Sequence, residues 1–107
     1  MDYAYLDFEY RQVSEPNLDL VSCSVLTSNG NSKDYWLYPN PNGNWDKKDL
    51  VGDIEVLISK GYIFIAFNVE AEASSLLSAG FTLKDLLKIK WIDLYLEYRM
   101  LQNHSNE

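Results

Sequence analysis

The sequence predicts a single α/β domain built on a mixed sheet, and three observations carry that prediction. The first forty residues hold three apolar and aromatic runs separated by turn-forming residues, the pattern of an antiparallel meander. Tyr62 to Phe67 is an uninterrupted apolar run of strand length, as expected of a strand buried on both faces in the parallel part of a sheet. Segments with helical spacing flank that run on both sides. The expected order is β-β-β-α-β-α-(α)-β-α, a meander followed by right-handed parallel crossovers with helices flanking the sheet.

Each element has its own local reason. Tyr3-Ala4-Tyr5-Leu6 is an apolar and aromatic run that Asp7-Phe8-Glu9 closes. As a strand it places Leu6, Phe8 and Tyr10 on one face and Asp7 and Glu9 on the other. Leu18 to Thr27 reads as a second strand, with Val21, Cys23 and Val25 on one face and Ser22 and Ser24 on the other. Ser28-Asn29-Gly30-Asn31 is a turn, because Asn and Gly tolerate positive φ. Tyr35 to Tyr38 follows as a third strand, rich in β-forming aromatics. Pro39-Asn40-Pro41-Asn42-Gly43-Asn44 can only be loop.

Beyond that loop, Leu50, Val51, Ile54, Leu57 and Ile58 recur at helical spacing and Gly61 supplies the stop. Asn68 is suited to cap a helix that follows the buried strand, reaches about Ala79 and ends at Gly80. Thr82-Leu83-Lys84-Asp85 resembles a capping box opening a short helix. Ile89 to Ile92 then reads as a brief fifth strand, with Asp93 capping a last helix through Leu101. One long helix from Leu83 to about Gln102 is the alternative.

Bulk composition narrows the function classes. A chain of 107 residues makes one domain with one modest core, so residues 1–107 are taken together. Net charge of -7 argues against a broad basic surface that grips nucleic acid, but leaves room for a site in which metal ions carry the positive charge. Cys23 is the only cysteine, which excludes an internal disulfide and suits a reducing compartment. No basic leader or long apolar stretch follows Met1, so the expectation is a cytoplasmic protein without membrane contact. Asn103-His104-Ser105 matches a glycosylation acceptor that, without export, has no use, and His104 is expected to lie in a frayed polar tail. Cys23, Trp36 and Trp91 are expected to be packing residues; Trp45 is open between packing and base stacking.

The acids carry the chemistry. Asp7 and Glu9 share a face about 7 Å apart along the strand, and two neighbouring carboxylates there repel unless a cation lies between them. Oxygen donors of this kind suit Mg²⁺ or Mn²⁺. Ligand sites in such sheets lie at the carboxyl ends of parallel strands where chain order switches direction. If the first strand neighbours Tyr62–Phe67, the first turn of the helix after Asn68 brings Glu72 to the same place, although Glu70 and Glu72 equally suit a solvated helix start. Three carboxylates can hold two divalent ions about 4 Å apart, as in phosphodiester cleavage.

In this order and spacing, Asp7-x-Glu9, the buried strand, Asn68, Glu72 and Leu76 resemble the DEDD 3′–5′ exonuclease superfamily, and more narrowly the proofreading exonuclease domain of phage-type family A DNA polymerases. Trp91-Ile92-Asp93 resembles the segment that follows the second motif. The resemblance implies a ribonuclease H-like fold and metal-dependent hydrolysis at the single-stranded 3′ end of DNA. It implies a catalytic and metal-ligating set of Asp7, Glu9 and Glu72, with Asp7 on both ions, Glu9 on the ion that positions the attacking water, and Glu72 on the second ion. Phe8 and Asn68 fall on its substrate side, Asn68 being equally a helix cap. The implied partner is the polymerase domain of a longer chain, in a host cytoplasm if phage-encoded.

Three departures qualify it. Glu72 stands where most members have Asp, Phe67 where many have His, and the third motif with its fourth acid is absent after Asp93. The expectation is therefore a domain incomplete at its carboxyl end. The alternatives are a degenerate nuclease fold kept as a non-catalytic interaction module and an acidic protein that mimics the charge of DNA.

Overall fold

A computed structural model describes residues 1–14, 17–38 and 46–105, so the expected loop at 39–44, Gly43 within it and Trp45 lie outside the described residues, as does the side chain of His104. Five strands form one sheet: β1 (Tyr3–Ser14), β2 (Asn17–Thr27), β3 (Ser32–Trp36), β4 (Ile63–Ala66) and β5 (Lys90–Asp93). Their spatial order is β3-β2-β1-β4-β5. β2 runs antiparallel to both β1 and β3, while β1, β4 and β5 are mutually parallel. The chain is thus a mixed α/β fold with a meander on one side and parallel strands on the other.

Helices α1 (Lys47–Ser59), α2 (Val69–Ala79), α3 (Leu83–Leu86) and α4 (Leu94–Ser105) complete the order. Their ends follow from local chemistry. Asn68 Oδ1 accepts from the Glu70 amide at 3.1 Å, and Gly80, at φ 114°, closes α2 in a conformation that an L-residue adopts only with strain. Thr82 and Asp85 form a reciprocal capping box that starts α3. Asp93 Oδ1 accepts from the Leu96 amide at 3.0 Å at the start of α4. β5 separates α3 from α4, so the chain does not form one helix from Leu83.

Ala4, Leu6 and Phe8 of β1, with Cys23, Val25 and Phe64, face a helical layer in which Leu50, Ile54 and Leu76 are fully buried. β4 is covered on both sides: Phe64 points into this core and Ile65, on the other face, is also buried. That is the burial expected of an unbroken apolar run. Phe67 is the exception, lying past the strand end and 66% exposed.

The first strand differs from its expected length. It does not close at Glu9 but runs on to Ser14, paired with β2 from Ala4 onward with irregularities after Glu9 and after Gln12. A bulge shifts the register between Glu9 and Tyr10, opposite the step from Ser22 to Leu20, and Tyr10 is left exposed rather than joining Leu6 and Phe8. β3 likewise begins earlier, at Ser32, and ends at Trp36, leaving Tyr38 outside it.

Phe64→Ala is expected to lower stability by about 3–5 kcal/mol, the range for emptying a buried aromatic site, whereas Phe67→Ala should cost under about 1 kcal/mol. Urea midpoints of the two variants measure the difference. Equal losses would contradict the placement of β4.

Candidate active site

β1 and β4 are paired only from Tyr3 to Tyr5, the last register being Tyr5 with Ile65. Beyond that point β4 ends and the chain turns through Asn68 into α2. The β1 edge that faced β4 therefore loses its partner. The Phe8 amide points into the gap, where Glu72 Oε1 accepts its hydrogen at 3.2 Å. An unpaired amide there would cost about 1–3 kcal/mol, so a helix side chain replaces the missing strand.

Glu72 is 5% exposed, and its carboxyl is pushed above the ordinary glutamate range. Burial is the main cause, with the nearby charges of Asp7 and Asp93 adding to it, while the Phe8 amide works in the opposite direction. Asp7 and Glu9 stand on the opposite, solvent-facing side of β1, Asp7 opposite Ser24 and Glu9 opposite Ser22. Ser24 Oγ in turn donates to Asp34 at 2.7 Å. Asp7 is thus the link between an exposed carboxylate pair and a buried glutamate.

Asp93, at the carboxyl end of β5, joins this edge in a way its expected capping role did not include. Its Oδ2 accepts from the Val69 amide at 3.1 Å while Oδ1 caps α4, so one carboxylate fastens the starts of two helices. The ring of Phe8 is buried in the core, which leaves only its backbone for any contact with a substrate. Asn68 acts as the α2 cap.

The donor chemistry of Asp7, Glu9 and Glu72 suits a hard divalent cation. Their arrangement suits it less well: Glu72 is engaged with Phe8, and among the described residues no three His, Cys, Asp or Glu side chains gather at metal-holding distance. Ion binding at this edge therefore requires Glu72 to turn from the Phe8 amide or to act through water.

Two further groups are structural. Tyr35 donates to Asp53 Oδ2 at 2.5 Å and Lys33 pairs with the same oxygen at 3.2 Å, tying β3 to α1. Burial, reinforced by Asp53, pushes the Tyr35 phenol up, and the Tyr35 hydrogen bond holds Asp53 below its ordinary value. Cys23 is fully buried and its thiol is pushed well up, chiefly by burial, which makes it a core residue and no nucleophile. Comparison with protein-family models, curated proteins and solved structures found no match to this chain.

The raised Glu72 carboxyl sets the sign of a pH effect. Folded protein holds this proton more tightly than unfolded chain does. The associated stability is complete below the unfolded value and is lost as pH rises through the raised folded one. Glu72→Gln stays neutral throughout. In metal-free buffer it is expected to melt higher than the parent at neutral pH and no higher in mild acid. A variant that melts lower than the parent at neutral pH would contradict this.

Proposed function

We propose that this chain is a ribonuclease H-like nuclease domain, akin to the 3′–5′ exonucleases that act on the single-stranded end of DNA. One observation carries the reading. In a sheet of order β3-β2-β1-β4-β5 with β2 alone reversed, Glu72 takes the Phe8 amide part-way along β1, where β1 and β4 part, and the neighbouring Asp7 is near enough for its charge to act on Glu72. Chain order also switches direction between β1 and β4, and α/β sheets place ligand sites at the carboxyl ends of strands beside such a switch.

In this reading Asp7 and Glu9 present oxygens on the open face and Glu72 approaches from the helical layer. Bound Mg²⁺ or Mn²⁺ would supply an activated water and stabilise the leaving oxygen. The helical layer fixes Glu72 beside the strand, and the Phe8 amide holds its carboxylate until an ion competes for it. Efficient hydrolysis further needs a fourth acid and a residue to orient the water.

The second reading, a nuclease-type fold retained for protein contacts without catalysis, is favoured by one observation. Both Asp93 oxygens and one Glu72 oxygen are already committed to backbone amides.

Thermal melts with and without MnCl₂ distinguish the two. Metal binding is expected to raise the melting temperature of the parent. Asp7→Asn, which relieves repulsion at the edge, is expected to melt higher without metal and to lose the Mn²⁺ response. An unchanged response in Asp7→Asn would move the site elsewhere, and no response in the parent would favour the non-catalytic reading. On a labelled single-stranded oligonucleotide, residues 1–107 alone should cut slowly or not at all. Brisk EDTA-sensitive digestion would show the fourth acid to be dispensable.

A further inference from the structure

The end of the sheet opposite the acidic edge carries a cleft of about 450 Å³ between the β2–β3 hairpin and α1. Val25 of β2 and Lys33 of β3, paired across the two strands, form its floor with Tyr35, two residues on from Lys33 on the same side. Asp53, Val56, Leu57 and Lys60 of α1 form its wall, their i, i+3, i+4, i+7 spacing placing them on one helix face. Tyr62 lines it beyond the end of α1. A volume in this range suits a small organic molecule rather than a lone ion.

The cleft is held in shape from both sides. Tyr35 and Lys33 both donate to Asp53 Oδ2, which fastens the strand to the helix. In the β2–β3 turn the Thr27 amide donates to Asn31 O at 2.9 Å, and the Asn31 amide donates to Asn29 Oδ1 at 3.2 Å. The Tyr62 amide donates to Leu57 O at 3.1 Å, tying the chain after α1 back to the helix. A site already in shape spares a ligand the cost of ordering it.

Charge and surface together select the ligand. Asp53, the only acid lining the cleft among the described residues, is already shared by Lys33 and Tyr35. Lys60 forms no ion pair among the described residues, so the cleft keeps one uncompensated positive charge on a chain of net charge -7. The cleft beside Glu70, Asp93 and Glu97, by contrast, is lined by acids and no base. Val25, Val56 and Leu57 supply apolar surface, and Val56 is 48% exposed, which leaves area for a ligand to remove from water. The carboxyl-terminal half of α1 faces the cleft, and the partial negative charge at a helix carboxyl end opposes dense negative charge. One free ammonium beside such an end matches a carboxylate better than a phosphate dianion.

We propose that this cleft binds an apolar monocarboxylate, its body against Val25, Val56 and Leu57 and its carboxylate at Lys60. The inference is independent of nuclease activity, since no residue of the acidic edge takes part.

Titration of isotope-labelled protein with sodium naphthoate, followed by amide chemical shifts, tests it. Saturable shifts are expected at Val25, Lys33, Leu57 and Lys60, with a dissociation constant of about 1 mM or tighter. Lys60→Gln is expected to weaken binding by about threefold or more, as loss of a partly exposed charge pair does. Val56→Glu, at an exposed helix position, should abolish binding with unchanged circular dichroism. Lys88→Gln, which removes the same charge outside the cleft, should bind as the parent does. Naphthamide, the neutral isostere, should bind more weakly than naphthoate, and naphthyl phosphate no more tightly. No saturable shift, or largest shifts beside Trp91 and Tyr95, overturns the proposal. So does a Lys60→Gln protein with the parent's affinity, and tighter binding of naphthyl phosphate overturns the assignment to a carboxylate.

Discussion

The hydrogen bond from the Phe8 amide to Glu72 is the contact on which the acidic edge depends. Parallel strands of unequal length always leave backbone groups without a partner where the shorter one stops. Here β4 stops at Ala66 while β1 continues to Ser14. The orphan donor at Phe8 is answered from the helical layer, and the answer sets the rotation of α2 over β1. Leu76 and Ala79, one and two turns further on, are thereby directed into the core. Fold and site are therefore joined in one contact: the residue nominated for metal chemistry is also the one that satisfies a buried amide.

That double role has an electrostatic consequence. A carboxylate held in a largely buried position with two other acids nearby is a poor resting anion, and its proton is retained more readily than in water. Asp93 meets a related demand by spending both oxygens on helix amides. Asp7 and Glu9, by contrast, are exposed to solvent on this edge. The edge thus grades from structural carboxylates inside to free ones outside, and a cation arriving from solvent would meet Asp7 and Glu9 first.

Much of this architecture is legible in local sequence. Alternation at Tyr3–Phe8 and at Val21–Val25, the apolar run before Asn68, the Asn68 and Thr82 caps and the glycine at 80 each have a backbone or burial requirement that residue type alone reveals. What escaped is what depends on pairing. The run of β1 past Glu9 is sustained by β2 rather than by its own composition, and the bulge that exposes Tyr10 exists only in the register of two strands. The burial of Glu72 was discernible: Glu72, Ser75, Leu76 and Ala79 follow the i, i+3, i+4, i+7 spacing of a buried helix stripe, with the acid at its head. Its partner was not, because nothing in the sequence marks the residue at which β4 leaves β1. The second bond of Asp93 is hidden for the same reason, being made across 24 residues.

Amide hydrogen exchange at Phe8, followed by NMR, tests the central claim most directly. If Glu72 replaces the missing strand, the Phe8 amide is protected to the level of its paired neighbours in β1. Glu72→Ala then removes that protection while leaving Leu6 protected, and Glu72→Gln, whose amide oxygen can still accept, preserves most of it. A Phe8 amide that exchanges freely in the parent, or whose protection is the same in Glu72→Ala, would contradict the account.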